Sequence, residues 1–230
     1  MSTSLLVEYY SQIPEGRSEG KPKMTRKEAV EAFKHRVMKR YTEGTLMRLL
    51  DCGDSRGRRA ALLALGLMGS MEACSAIAAR LRDEDRDVGQ MAVDTLWTLW
   101  FRGDSPANNE ELQRLARVRD RQKALAGLDA LILRAPEFAE AYNQRAIVHF
   151  RLKQFERSIA DCERVLHLNP YHFGAQAGLG QSYLQMRKHR AALKAFRAAL
   201  RLNPHMDGVA ETIRALENAL GEEGRRDDKK

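Results

Sequence analysis

Histidines are the residues of this chain whose type most readily supports metal or acid-base chemistry. None of the six forms a His-x-x-x-His pair or a glutamate-paired spacing of the kind that binds zinc. His149 lies 34 residues before Tyr183, and we interpret it as a helix residue that packs between repeated units. The sequence therefore predicts no metal site among His35, His149, His167, His172, His189 and His205.

An acidic run offers a second test for chemistry, because alternating aspartates bind calcium in some loops. Asp83, Asp85 and Asp87 have that alternation, but Val88 stands where the sharp turn of a calcium loop needs glycine. An apolar helical pattern follows at once. We therefore expect a turn that begins a helix, with its carboxylates near the positive end of the helix dipole.

No phosphate loop, nucleophile motif or Cys/His motif stands out elsewhere. Gly174, Gly178 and Gly180 are predicted to lie inside a helix at packing spacing, without the context of a nucleotide-binding loop. The sequence therefore predicts a protein that is not an enzyme, with no catalytic residue, no metal and no cofactor.

Composition favours an all-α protein in a reducing compartment. Ala, Leu, Arg and Glu dominate the 230 residues, and these are good helix formers. No apolar run of membrane-spanning length occurs, so we expect a soluble, unexported, cytoplasmic protein with no membrane partner. The cysteines Cys52, Cys74 and Cys162 are far apart and sit among apolar residues, which fits reduced thiols. The net charge of +8 indicates only that an acidic partner is favoured.

Prolines at a fixed period reveal the architecture that must position any site. Pro136, Pro170 and Pro204 are 34 residues apart, and a proline at a constant period ends one helix in each unit. When each 34-residue unit is numbered so that its proline is position 32, small residues coincide at positions 8 and 20 of the units. Small side chains there let paired helices approach closely. They are Ala146 and Gly180 at the first position, and Ala124, Ser158 and Ala192 at the second.

Residues 139–172 and 173–206 resemble two complete tetratricopeptide repeats, carried by "AEAYNQRAIVHFRLKQFERSIADCERVLHLNP" and "FGAQAGLGQSYLQMRKHRAALKAFRAALRLNP". The resemblance implies an α-solenoid of antiparallel helix pairs. Three positions depart from the family pattern: Gln176 replaces the usual Tyr or Trp, His189 a common aromatic, and Cys162 the usual Phe.

The flanking segments are expected to extend this array. Residues 105–138 read as an imperfect repeat, either a hairpin or one long helix over 109–134 whose cap would be Asn108. We expect residues 207–220 to form a capping helix whose inner face is Val209, Ile213, Leu216 and Leu220. We expect residues 221–230 to be a disordered charged tail.

A different period marks the first half of the chain. A shift of 31 residues superposes "RRAALLALGLMG" on "GQMAVDTLWTLW", each after an acidic turn. Residues 24–104 therefore resemble HEAT-like repeats, and 1–23 are expected to be a flexible leader. Thr25 and Glu28 form a predicted capping box for a helix over 26–40, with a shorter helix over 46–50. Two interpretations are open for the bulky cluster Trp97, Trp100 and Phe101. These side chains form an exposed anchor for a partner or, more simply, they are buried and fill the junction between the two repeat arrays.

The tetratricopeptide resemblance implies a binding groove along the first helix of each repeat. The side chains at the groove positions of this chain combine amides with apolar groups. They lack the lysines that clamp a terminal carboxylate in one subfamily of tetratricopeptide proteins. The expected ligand is therefore a protein or peptide segment that an adaptor or scaffold would hold. Carried onto this chain, the groove residues are Glu140, Asn143, Ile147, Phe150, Arg151, Gly174, Ala177, Gln181, Leu184 and Gln185.

Nucleic-acid or ribosome association is the alternative function. Arg190, Lys194, Arg197 and Arg201 recur along one predicted helix as a basic patch, beside His189. Solvated helix faces explain the same pattern. The sequence leaves open the partner's identity, the pathway, a separate ligand for the first half, and the oligomeric state, including self-association through an array end.

Overall fold

The computed structural model describes residues 5–14, 24–52 and 54–227, and these residues form helices and turns without a β-strand. The chain divides into two compact units, Met1–Leu99 and Trp100–Lys230. The all-α, α-solenoid class predicted from the sequence is confirmed.

The first unit consists of helices that begin at identifiable caps. The Thr25–Glu28 capping box is present, with Glu28 accepting from the Thr25 amide at 2.7 Å. Asp54 caps the fourth helix by accepting from the Gly57 amide at 2.7 Å. Its helices are α1 Leu5–Tyr10, α2 Arg26–Met38, α3 Glu43–Cys52, α4 Ser55–Met68, α5 Cys74–Ala79 and α6 Arg86–Trp100, with 3-10 turns at Met71–Ala73 and Arg80–Arg82. The last residue of α6, Trp100, belongs to the second unit.

Part of the segment predicted to be a flexible leader is helical, at Leu5–Tyr10. Helix α1 buries Leu6 and Val7, because both are apolar and lie on the face that packs against α4. Residues 1–4 and 15–23 of the predicted leader lie outside the described residues.

The acidic run behaves as predicted, as a turn that begins a helix. Asp85 accepts hydrogen bonds from the amides of Asp87 and Val88 at the start of α6. Asp83 accepts from Arg58 at 2.8 Å, so its carboxylate is committed to an ion pair within the unit.

The second unit stacks helix pairs. The predicted ends before Pro136, Pro170 and Pro204 fall where the helices stop, at Arg134, Leu168 and Leu202. Residues 173–206 thus contain one pair, and so do residues 139–172. The helices are α7 Pro106–Ala116, α8 Arg121–Arg134, α9 Ala139–Arg151, α10 Phe155–Leu168, α11 Phe173–Gln185, α12 His189–Leu202 and α13 Val209–Asp227.

Residues 105–134 form a hairpin, which decides between the two alternatives left by the sequence. Asp120 caps α8 by accepting from the amides of Gln122 and Lys123, so an aspartate breaks the helix without glycine or proline. Ser105, not Asn108, caps α7, because Pro106 at the first helical position suits that start.

The last helix is longer than predicted. It continues to Asp227, seven residues past the expected end at Leu220, so most of the segment expected to be a disordered tail is helical; residues 228–230 lie outside the described part. Val209 and Leu216 are buried against Phe196 and Ala192, as expected of a helix that covers the last repeat.

Candidate functional site

The predicted groove residues lie on α9 and α11, and most of them contact solvent. Arg151, Gln181 and Gln185 are exposed. Phe150 packs its ring edge-on against Phe155 with centroids 5.6 Å apart, which leaves part of the ring at the surface. The remaining apolar members, also half-buried, are Ile147, Ala177 and Leu184.

Asn143 departs from this prediction. Its side chain is 3% exposed, and its amide donates to Glu140 at 3.0 Å. A ligand on the surface of α9 would therefore not reach the Asn143 amide, which serves the core instead. Glu140, which was also predicted to line the groove, is buried as well.

The reason for this burial is a polar cluster that no sequence motif predicted. Glu140 accepts from Gln144 at 2.7 Å and pairs with His172 at 2.9 Å, and the Glu140 and His172 side chains are both fully buried. The His172 ring stacks on Trp100 with centroids 4.1 Å apart. The sequence gives one sign of this cluster: Glu140 and His172 stand at the starts of the first helices of two successive repeats.

Trp100 is therefore buried filling and not an exposed anchor. It is 1% exposed and also packs against Phe173 at 5.1 Å between ring centroids. Phe101 packs against the apolar cluster of α7, α8 and α9. The simpler of the two interpretations of this aromatic run is supported at both residues.

A second ionic cluster joins α8, α9 and α10. Arg145 forms two hydrogen bonds with Asp161, at 2.9 and 2.6 Å, and one with Asp129 at 2.7 Å. These bonds raise the pKa of Arg145 above its ordinary value, and the hydrogen bonds with Asp161 contribute most to the increase. The cluster ties the first full repeat to the preceding helix and leaves no free cation for a ligand at Arg145.

His149 and Cys162 have packing roles in the described structure. His149 is buried, and its Nδ1 atom lies 2.7 Å from the Gln154 side-chain oxygen. Burial, reinforced by the nearby Asp161 charge, raises the pKa of the Cys162 thiol to about 12. Within the described residues, no group of three His, Cys, Asp or Glu side chains could hold a metal ion.

The side chains of the predicted basic patch lie on α12. Arg190, Lys194 and Arg201 are exposed, whereas Arg197 donates to Glu217 of α13 at 2.5 Å. Lys194 and Arg201 also line a surface cleft of about 460 Å³ between α11 and α12.

The first unit contains a larger cleft of about 690 Å³. Leu63, Leu67 and Met91 give it an apolar part, while Arg59 and Asp87 face it and pair with each other at 3.4 Å. Arg26 and Asp94 also line the cleft, so its lining carries two cationic and two acidic side chains.

The described helices include none that is long and apolar enough to cross a membrane.

Comparison with known families agrees with this architecture. The Tetratricopeptide repeat family matches residues 139–172 and again, through a second profile, residues 174–206. HEAT repeats match residues 42–132. The chain therefore contains tetratricopeptide repeats preceded by a HEAT-repeat segment. The HEAT match includes α7 and α8, so the assignment of 105–138 to an imperfect tetratricopeptide unit stays a prediction.

Individual relatives are distant. The chain is 27% identical over 142 residues to a TPR repeat-containing protein of Rhizobium etli, an alignment that covers 60% of this chain and 70% of that protein. Among solved structures, the first TPR of Spaghetti (RPAP3) bound to the HSP90 peptide SRMEEVD matches with a TM-score of 0.47 and 22% identity. That match covers 50% of this chain and 91% of the other. The repeat families support a protein-interaction adaptor role for the chain.

Proposed function

We propose that this protein is a non-catalytic adaptor that holds a peptide or helix of a partner protein on the face formed by α9 and α11. The observation that carries the proposal is the exposure of Gln181 and Gln185 on α11, together with the partly exposed rings and aliphatic side chains of Phe150, Ile147 and Leu184.

The chemistry of this face suits a polypeptide. Side-chain amides both donate and accept hydrogen bonds, so Gln181 and Gln185 can pair with a peptide backbone of either direction. Phe150 and Leu184 add apolar contact area, and a buried aromatic ring contributes much of the energy at such interfaces. Arg151 is the single cation of the set, which leaves the face nearly neutral.

Titratable groups near this face are not arranged for catalysis. Glu140 and His172 are an acid and a base within 2.9 Å, but solvent reaches neither side chain. A substrate at the surface would not contact them. This is the physical reason for preferring binding over chemistry.

Peptide binding is preferred to nucleic-acid binding for a specific reason. Arg197 sits in the middle of the basic patch and is paired with Glu217, so a carboxylate interrupts the row of cations. A phosphate backbone would be repelled there, whereas binding driven by phosphates needs several unpaired cations and weakens steeply with salt.

A display experiment tests the proposal with the full-length chain as bait. Peptides of twelve random residues are selected, and their affinities are measured by fluorescence polarisation. The variant carrying Phe150→Ala, Gln181→Ala and Gln185→Ala should lose at least tenfold in affinity, which corresponds to about 1.4 kcal/mol. Glu156→Gln, an exposed change on α10, is the control and should bind normally. Retained affinity in the triple variant would reject this face.

A further inference from the structure

A row of basic side chains follows one edge of the second unit. This edge is formed by the turns that join α7 to α8, α9 to α10 and α11 to α12. The Arg121 side chain donates to the Arg151 carbonyl at 3.1 Å, which brings the first two turns together. One helical turn away from the second and third turns, the Ser182 and Ser158 hydroxyls are 3.1 Å apart. The three turns therefore lie side by side.

Charge is divided unequally between this edge and the opposite one. Eight cations and two carboxylates lie in the three turns or within two residues of them. The same ranges around the turns of the opposite edge, from α8 to α9, α10 to α11 and α12 to α13, contain two cations and three carboxylates. We call the eight cations the basic edge. They are Arg117, Arg119, Arg121, Arg151, Lys153, Arg187, Lys188 and Arg190.

The side chains of the basic edge are all exposed, and among the residues that the structure describes none of the eight forms an ion pair. This distinguishes the edge from the row on α12, where Glu217 engages Arg197. Of the two carboxylates nearby, Asp120 accepts from backbone amides as the cap of α8, and Glu156 is exposed. The edge therefore has a net positive charge.

Two members of the basic edge have a backbone conformation that favours glycine. Lys153 and Arg187 occupy the same position in the two full repeats, and their φ angles are +60° and +57°. Glycine adopts this left-handed region without the steric cost that a Cβ atom brings. Core packing does not require either side chain, because both are exposed. Both repeats thus place a long cation, at a cost in backbone energy, where glycine would suit the turn best.

The chemistry of the basic edge suits a phosphate backbone. Exposed ion pairs with single carboxylates contribute little, because water already solvates both groups well. A nucleic acid gains more from the same exposed cations, since every phosphate contact releases condensed counterions. Six of the eight cations are arginines, whose planar guanidinium group pairs with two phosphate oxygens at once.

The apolar side chains of the three turns are less accessible than the cations. Val118, Leu152 and Met186 are half-buried, and the Phe155 ring packs edge-on against Phe150. Within the described part of these turns, no aromatic ring is classed as exposed, so bases have no open surface on which to stack. The edge therefore presents charge for a backbone and little that could recognise a base.

We propose that the basic edge binds the phosphate backbone of a nucleic acid without reading its sequence. This function goes beyond the peptide binding proposed for the face of α9 and α11 and does not depend on it. The two surfaces share Arg151, the last residue of α9.

The probe is fluorescein-labelled polyuridylate of about twenty nucleotides, and its binding to the full-length chain is followed by fluorescence anisotropy over a range of salt concentrations. Affinity should fall steeply with salt, because each phosphate contact on a single strand contributes about 0.7 to the slope of log affinity against log salt concentration. Oligothymidylate of the same length should bind within about twofold, since the edge contacts phosphates and not sugars or bases.

Glycine substitutions separate binding from folding. Lys153→Gly combined with Arg187→Gly removes two cations and relieves two left-handed residues. Affinity at low salt should fall about tenfold and the salt slope by about 1.4, whereas the temperature of thermal unfolding should be unchanged or higher. Lys27→Gln combined with Lys39→Gln is the control, because it removes the same charge from exposed positions of the first unit, and it should bind within about twofold of the parent.

Three results would overturn the proposal. They are an absence of polyuridylate binding at low salt, equal affinity of the double glycine variant and the parent, and displacement of polyuridylate by an equal concentration of polyglutamate, which would assign the edge to an acidic protein. The variant with Phe150→Ala, Gln181→Ala and Gln185→Ala should bind polyuridylate like the parent, so failure of the peptide-binding face is distinguishable from failure of the basic edge.

Discussion

His172 donates a hydrogen bond from Nε2 to Glu140 Oε2 at 2.9 Å, between two side chains that are both excluded from solvent. The Nδ1 atom of His172 accepts from the Ala175 amide at 3.0 Å, and this contact places the ring proton on Nε2. Glu140 also accepts from Asn143 and Gln144. A single carboxylate therefore satisfies three donors in the core of the repeats.

Replacement of Glu140 by Gln should destabilise the second unit. The new amide group cannot accept from all three donors, and an unsatisfied buried polar group costs about 1–3 kcal/mol. Urea unfolding followed by Trp100 fluorescence, in a Trp97→Phe background, measures the change. Glu137→Gln is the control, because Glu137 is exposed, and it should shift the free energy of unfolding by less than about 0.5 kcal/mol. Equal effects of the two changes would show that the cluster contributes nothing.

Arg145 and Asp161 should show strong energetic coupling. Arg145→Leu alone leaves Asp161, whose side chain is 8% exposed, without its main partner, at a cost of about 3 kcal/mol or more. Arg145→Leu with Asp161→Ala reproduces the Leu179 and Ala195 pair of the next repeat and should recover most of that loss. A double-mutant cycle in urea checks the prediction, which additive losses would contradict.

Gly180 is required by its neighbour Phe196. A Cβ atom on Gly180 would lie 2.7 Å from the Phe196 ring, so Gly180→Ala should cost about 1–3 kcal/mol through overpacking. The preceding repeat has Ala146 and Cys162 at these two positions, where the smaller Cys162 leaves room for a methyl group.

Two further variants sharpen this test. Gly180→Ala combined with Phe196→Cys should cost less than the sum of the single changes. Gly44→Ala is the control, because a Cβ atom there would lie 3.9 Å from its nearest neighbour, the Arg48 side chain. This change should leave the temperature of thermal unfolding unchanged or raise it slightly. A neutral Gly180→Ala would contradict the packing described here.

Cys162 should be unreactive in the folded protein. Because burial raises the pKa of its thiol to about 12, very little thiolate is present at pH 8. In a variant with Cys52→Ser and Cys74→Ser, Ellman's reagent should react slowly with native protein and rapidly once urea unfolds it. A native rate close to that of a free thiol would show that the site is open.

The sequence predicted the repeats well because their signals are local. A proline at a period of 34 ends α8, α10 and α12 within two residues of the predicted place, and Thr25 with Glu28 marks the start of α2. Each of these rules depends on one or two neighbouring side chains, so no knowledge of the tertiary structure is needed.

The candidate groove was predicted less completely, because burial depends on residues distant in sequence. The repeat register alone predicts that Asn143 is exposed. In the structure, the contacts of His172 with Trp100 and Glu140 hold Glu140 in the core, and Asn143 is buried with it because its amide donates to Glu140. Likewise the cleft beside Gln176 becomes visible only when Ala195 and Ala198 of the neighbouring helix are placed next to it.

The central claim is tested most directly by locating a bound peptide. A display-selected peptide that carries a photoreactive benzophenone is cross-linked to the full-length chain, and the modified residues are identified by mass spectrometry. We expect cross-links at 147–151 of α9 and 181–185 of α11, and we expect them to be lost in the variant with Phe150→Ala, Gln181→Ala and Gln185→Ala. Cross-links confined to the first unit, or to the outer face of α10, would contradict it.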